Sequence, residues 1–196
     1  MTSNDNSVNI EKRGYHHGDL RSALLGEGLR LLAERDAESL SLREVARNVG
    51  VTATSVYRHF PDKNALMTAL AREGLSRLAA AQHAAADAAR DGESFAATGR
   101  AYVRFALANP ALFRLIFASP VLAGDRKRDA EESEAMTFLR QNAAAAVDRD
   151  IEDPAAKVEA ARAWSLVHGL AMLMLDGQIP VDDALIDRVV APERGC

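Results

Sequence analysis

The stretch SLREVARNVGVTATSVYRHF, residues 41–60, carries the signals that decide the fold. Ser41 stands three residues before Glu44, the S-x-x-E spacing in which the serine hydroxyl accepts from the Glu44 N–H while the carboxylate reaches back. Leu40 and Val45 sit where a hydrophobic staple would. Leu42, Val45 and Val49 repeat at helical spacing and leave Arg43, Glu44, Arg47 and Asn48 on the wet side. Ala46 is small where two helices must cross closely, and Gly50 follows where a left-handed residue is needed to reverse the chain. Thr52 is a second N-cap candidate. From it a helix runs to about His59, with Val56 and Phe60 inward and Ala53, Thr54, Ser55, Tyr57 and His59 outward.

The outward set begins with small or polar hydrogen-bonders and ends with an aromatic hydroxyl and an imidazole, which suits a major groove and its flanking phosphates. A plain surface hairpin is the alternative, but it has no need of a short second helix with small residues at its tip. The longer segment LSLREVARNVGVTATSVYRHFPDKNAL resembles the DNA-binding segment of the tetracycline-repressor (TetR) family of bacterial regulators, over roughly residues 18–78. The resemblance implies that residues 52–59 form the recognition helix, with Thr52, Ala53, Thr54 and Ser55 at its start. It also implies that Tyr57 and His59 lie near phosphates and that Lys63 opens the next helix against the DNA backbone; Arg58, and Arg43 on the wet side of the preceding helix, complete the DNA-binding candidates. One departure is Asp36, which stands where the family usually ends its first helix with Gly. Aspartate tolerates the left-handed conformation better than most residues.

Outward from this segment, the chain has 196 residues, 48% of them hydrophobic and 27% charged, enough for a sizeable core. Alanine-rich, helix-favouring segments dominate and β-branched alternation is nearly absent, so the fold class is all-α. The single cysteine, Cys196, has no companion for a disulfide or a metal site, and the first ten residues are polar, unlike a signal peptide. Both point to the cytoplasm. Net charge is −4, yet residues 12–63 carry nine Lys or Arg against seven Asp or Glu, a local balance of +2, with three of the five histidines. A modest basic footprint suffices where a few phosphate contacts and helix N-termini set the register.

Residues 1–17 read as a flexible arm in which Lys12 and Arg13 either reach a minor groove or belong to a solvated tail. His16 and His17 trim the next helix. Residues 18–64 form a three-helix DNA-binding domain, its first helix carrying Leu20, Leu24, Leu25, Leu29 and Leu32 as a buried stripe. Pro61 stops the recognition helix. Asp62 caps a long linking helix from Lys63 to about Ala89, on whose alanine-rich end His83 reads as a surface residue.

Residues 65–196 read as a ligand-binding and dimerisation domain. Five of the six phenylalanines lie here: Phe95, Phe105, Phe113, Phe117 and Phe138. Phe95, Tyr102 and Phe105 share a face of a helix ending at Asn109, and Leu112, Phe113, Ile116 and Phe117 project together from a short one. Such aromatics line a ligand box or simply fill a core. Pro120, Gly124 and the run DRKRDAEESE mark a loop before a helix over about 132–149. Asp153 caps a helix through Trp164 and His168, and residues 163–175 are apolar on nearly every side. That is short of the roughly 20 residues that span a bilayer and too apolar for one face to be wet. A second buried surface is required. Gly169 in mid-helix is explained by close helix approach, and 181–190 supplies a last amphipathic helix with Leu185, Ile186, Val189 and Val190.

This half, through AYVRFALANPALFRLIFASP and the W-S-L-V-H-G of residues 164–169, resembles the TetR C-terminal domain named for its Trp, His and Gly. The resemblance implies an inducer cavity beneath the linking helix, with Tyr102, Phe105, Phe113, Phe117, Met136, Trp164 and His168 as ligand-binding candidates. It also implies a twofold dimer through the last two long helices, with Leu166, Gly169, Leu170, Leu173, Leu185 and Val189 at the interface. His168 is either a polar handle in that cavity or a core histidine bonded to a neighbour. Arg104 and Arg114 either meet an anion or lie on the surface.

The expectation is thus a homodimeric regulator, a repressor of double-stranded operator DNA released by a small, largely apolar effector. It needs no cofactor, metal, catalytic residue or membrane. Two alternatives remain open: a constitutive DNA binder, and a helical enzyme using Trp164 and His168, for which no acidic partner or activated nucleophile stands at a helpful spacing.

Overall fold

The computed structural model describes residues 17–118 and 134–191. The arm with Lys12, Arg13 and His16, the loop signals at Pro120 and Gly124, most of the charged run, and Cys196 lie outside the described residues. Within them the chain is all-α: nine α-helices and one 3-10 turn, with no strand.

Helix α1, His17–Glu34, buries Leu24, Leu31 and Leu32 and half-buries Leu20, Leu25 and Leu29. Its end corrects an expectation. Asp36 is extended (φ −69°, ψ 150°), and the chain leaves through the 3-10 turn Ala37–Ser39. With the chain turned that way, no left-handed residue is required, which is why glycine is dispensable here.

Helix α2, Leu42–Val49, starts as expected, with Ser41 Oγ accepting from the Glu44 N–H at 3.2 Å. The reciprocal half of the capping box is not made. The Glu44 carboxylate lies 2.5 Å from Arg35 and 3.7 Å from Arg47 instead, because two guanidinium groups attract it more than a neutral amide does. Gly50 then takes φ 80° and reverses the chain. Helix α3, Ala53–His59, is capped by Thr52, whose hydroxyl accepts from the Ser55 N–H, and Asp62 caps α4, Lys63–Asp87, through the Ala65 N–H at 2.8 Å.

Helix α4 is the common spine. It packs on α1 and on three later helices: α5 (Ser94–Ala108), α6 (Pro110–Ala118) and α7 (Glu134–Ala146). Helix α8, Pro154–Leu175, closes the bundle against α5 and α7, and the short α9, Asp183–Val189, returns onto α5. The apolar core runs without a break from Leu24, Val45, Val56 and Phe60 through Leu66 and Leu70 to Phe113, Ala171 and Ile186. Among the described residues no helix is long and apolar enough to cross a membrane.

Candidate nucleic-acid interface and effector site

The two short helices present one face. Val56 and Phe60 are buried and anchor α3 from beneath, and the Arg21 guanidinium lies 5.4 Å above the Phe60 ring. The Glu27 carboxylate of α1 accepts from Asn48 of α2 at 2.7 Å and from Arg30, so the first two helices are pinned edge to edge. The Arg30 hydrogen bond is the main reason this carboxyl is held below its ordinary range. On the outside, Thr54 and Arg58 are exposed, Tyr57 is 44% exposed, and Ala53, Ser55 and His59 are partly covered. The Thr52 and Ser55 hydroxyls lie 2.9 Å apart at the helix start. Arg43 of α2 is exposed, and so is Arg47, which the sequence placed on the wet side without joining it to the candidate set. Lys63 sits differently from the rest: its ammonium donates to the Glu38 carbonyl at 2.5 Å and ties α4 to the 3-10 turn.

A second cluster forms from residues between 102 and 168. Tyr102, Phe113, Phe117, Trp164 and His168 meet, with ring centroids 4.8 Å apart for Phe113–Phe117 and for Phe117–His168, and an edge-to-face Tyr102–Phe113 pair at 5.5 Å. The Trp164 N–H donates to the Tyr102 oxygen at 3.3 Å, and that oxygen lies 2.9 Å from His168 Nδ1. Burial pushes the Tyr102 hydroxyl up and the His168 imidazole down, so both favour their neutral forms. With the Tyr102 oxygen taking the Trp164 N–H, a Tyr102 O–H donated to Nδ1 gives that hydroxyl one incoming and one outgoing bond, and goes with the imidazole proton on Nε2. His168 is bonded to a neighbouring side chain, as a core histidine is.

Five of the seven ligand candidates thus come together. Phe105 does not join their ring contacts: it is buried beside an open groove of about 470 Å³ with Ala81 and Ala85 of α4 and Ala97, Arg100, Ala101 and Arg104 of α5. Met136 is half-buried at the start of α7, where Phe138 stacks on His83 at 3.9 Å. His83 is accordingly half-buried, not the surface residue that its alanine-rich setting suggested. Of the two readings open for Arg104 and Arg114, anion partner or surface residue, the structure has both side chains partly exposed and paired within the chain. Arg104 bonds Asp183 and Asp187 of α9, and Arg114 bonds Asp176 at the end of α8. Gln82, which the sequence reading passed over, is buried on α4 with its carbonyl oxygen unpaired among the described residues. The available signal was its place four residues after Leu78 on the apolar stripe.

The outer side of α8 carries a stripe of Val158, Leu166 (47% exposed) and Leu173 (43%). Leu170 corrects its expected place there: it is 6% exposed and packs into its own chain's core, because it falls on the face that also buries Val167, Ala171 and Met174. Leu185 and Val189 are half-buried against the same core. A Cβ at Gly169 would meet nothing within 4 Å, so the close approach expected there is not made inside one chain.

Two family profiles match this arrangement. Residues 24–70 match the tetR family of bacterial regulatory proteins, and residues 95–191 match the tetracyclin repressor-like C-terminal domain. The chain belongs to the TetR family. It is 32% identical over 115 residues to the HTH-type transcriptional regulator Mb1846 of Mycobacterium bovis, a match covering 57% of this chain and 49% of that one. The chain spans about half the length of the curated relatives it matches. A protein of unknown function from Rhodococcus sp. RHA1 is similar in structure over 91% of this chain and 93% of its own, at 31% identity and a TM-score of 0.69. A tetR-family transcriptional regulator from Streptomyces coelicolor shares the fold over 88% and 78%, at 22% identity and a TM-score of 0.63. Membership in a family of regulatory proteins sets aside the enzyme reading of Trp164 and His168. The TetR N-terminal match begins inside α1 and ends inside α4, so it encloses the whole α2–α3 face.

Proposed function

We propose that this TetR-family chain is a cytoplasmic, ligand-responsive repressor that binds a near-palindromic operator as a homodimer. The observation that carries the DNA-binding half is the α2–α3 face. It has a rigid apolar underside at Val56 and Phe60, a capped helix start at Thr52, and Tyr57, Arg58 and Arg43 turned to solvent. In this reading Thr52, Ala53, Thr54 and Ser55 approach base edges, while Arg43, Tyr57, Arg58 and His59 hold phosphates. Lys63 reaches a phosphate by releasing the Glu38 carbonyl. Residues 18–64 are then the reading head and residues 65–196 the effector and dimerisation region.

The exposed stripe on α8 supports dimerisation. Val158, Leu166 and Leu173 form an apolar line on a helix otherwise packed on its own core, and the open backbone at Gly169 suits a second α8 crossing there. The aromatic cluster behind α4 supports a largely apolar effector. A ligand that enters it favours a different setting of α4 and moves the two α3 helices off the 34 to 36 Å separation of successive major grooves. The coupling free energy of such a switch is about 1 to 3 kcal/mol.

Fluorescence anisotropy on the chain's own upstream intergenic DNA, against a shuffled duplex and across a salt series, tests this. Tight, salt-sensitive binding to the native duplex alone, lost on Tyr57→Ala, is the expected result. Equal binding to both duplexes that ignores small molecules would make the chain a constitutive DNA binder.

A further inference from the structure

Gln82 is 6% exposed, and its Oε1 has no hydrogen-bond partner among the described residues. An unpaired buried amide oxygen bears its whole desolvation penalty, and buried polar groups are nearly always paired. The position asks for a donor that the described residues do not offer.

Its direction follows from its neighbours on α4. Ala81 and Ala85 face α5, where they line one groove with Ala97, Ala101 and Phe105. His83, on the other flank, stacks on Phe138 of α7. At 100° per residue Gln82 projects between these two directions, on the same line as buried Leu78 one turn earlier. It is therefore aimed into the interval between α5 and α7, and α8 packs on both of those helices. The α5–α8 seam carries the Tyr102, Trp164 and His168 network.

We propose that Gln82 is the hydrogen-bond acceptor of the small-molecule site on the linking helix, and that its ligand is an uncharged molecule with a flat apolar body and a hydroxyl or N–H donor. This rests on the effector reading above and adds the chemical class. The charge argument is independent of Gln82. The polar groups of the aromatic network favour their neutral forms, Arg104 and Arg114 are already held by Asp183, Asp187 and Asp176, and Arg100, the more buried arginine of α5, lies 3.8 Å from Asp187. A carboxylate ligand would have to break one of those pairs or be buried without a partner.

Three matched probes test the proposal: 4-phenylphenol, its methyl ether, and biphenyl-4-carboxylate. Binding is read by quenching of Trp164, the chain's single tryptophan. The full chain should bind the phenol at least tenfold more tightly than either of the others. In Gln82→Met, of nearly the same shape, the phenol-to-ether ratio should fall to within twofold. Without ligand, that variant should melt higher than the parent, since an unpaired polar atom has left the core. Gln82→Leu, read the same way, gives a second apolar replacement. A preference for the carboxylate, a ratio that survives in both variants, no binding of any probe, or a melting temperature lowered by both variants overturns the proposal. Operator release is measured separately: phenol binding with the expected ratio but no release leaves Gln82 as the acceptor and removes the regulatory reading of the site.

Discussion

The reading head and the aromatic cluster are built on different length scales. In α2 and α3 the decisive contacts span three or four residues: Ser41 to Glu44, Thr52 to Ser55, and the single left-handed Gly50. In the cluster the contacts that fix geometry join residues 62 and 66 apart, Tyr102 to Trp164 and Tyr102 to His168. A short-range device can be read from a window of sequence. A long-range one depends on which face of each helix turns inward, and that is settled only by packing.

The sharpest way to break the comparison is to separate the two regions functionally without unfolding either. Leu166→Glu with Leu173→Glu places charges on the exposed stripe of α8, where neither side chain is needed by its own core. Helicity should be unchanged, sedimentation should show a monomer, and operator affinity should fall on the order of 100-fold or more, because the second half-site no longer benefits from linkage. A dimer that persists would move the interface elsewhere.

Next in size is Phe60→Ala, a test of whether the head is a separate unit. Phe60 is 2% exposed and lies in the core that continues through Leu66 and Leu70 to Phe113. A loss of about 3 to 5 kcal/mol is expected for a buried phenylalanine truncated to alanine. With a continuous core, calorimetry should show one transition moved down as a whole. Two separated transitions would mean that the head melts alone and that the two scales are also two folding units.

Smaller still is Thr52→Ala, which removes one local device. The lost cap should cost about 1 kcal/mol. At native temperatures Trp164 emission should not change, since none of the cluster's ring contacts or hydrogen bonds given above involves α3. An altered Trp164 signal would show that the head and the cluster communicate even through a cap.

The same contrast explains what the sequence made legible. The caps at Ser41, Thr52, Asp62 and Asp153, the turn at Gly50 and the inward Val56 and Phe60 all follow from neighbours a few residues away, and all are present. The errors lie where two local readings compete or a distant partner decides. Glu44 could cap its own helix or pair with Arg35, and only the fold brings Arg35 near. Leu166 and Leu170 are both apolar on an apolar helix, and only the position of α5 and α7 makes one core and the other surface. Asp36 was misjudged because a 3-10 turn offers a second way out of α1. The ion pairs of Arg104 and Arg114 required α9 and the end of α8 to arrive beside them.

The smallest expected effect tests the long-range side alone. Burial lowers the His168 imidazole from its ordinary value of 6.5. Above that value the imidazole is neutral in the folded and unfolded chain alike, and it contributes no pH dependence. As the pH falls below it, the unfolded chain takes up the proton first, so the folded state loses stability until its own lower value is reached. The loss also has a structural cost: a protonated Nδ1 can no longer accept from Tyr102, whose oxygen already receives the Trp164 N–H. His168→Gln keeps an acceptor for Tyr102 and cannot titrate. Melting temperatures measured from pH 8 to pH 5 should therefore fall further in the parent than in this variant, the difference cancelling the titration of all other groups. Parallel curves would mean that His168 is solvated enough to protonate in place, and the network would then be no more coupled than the local devices of the head.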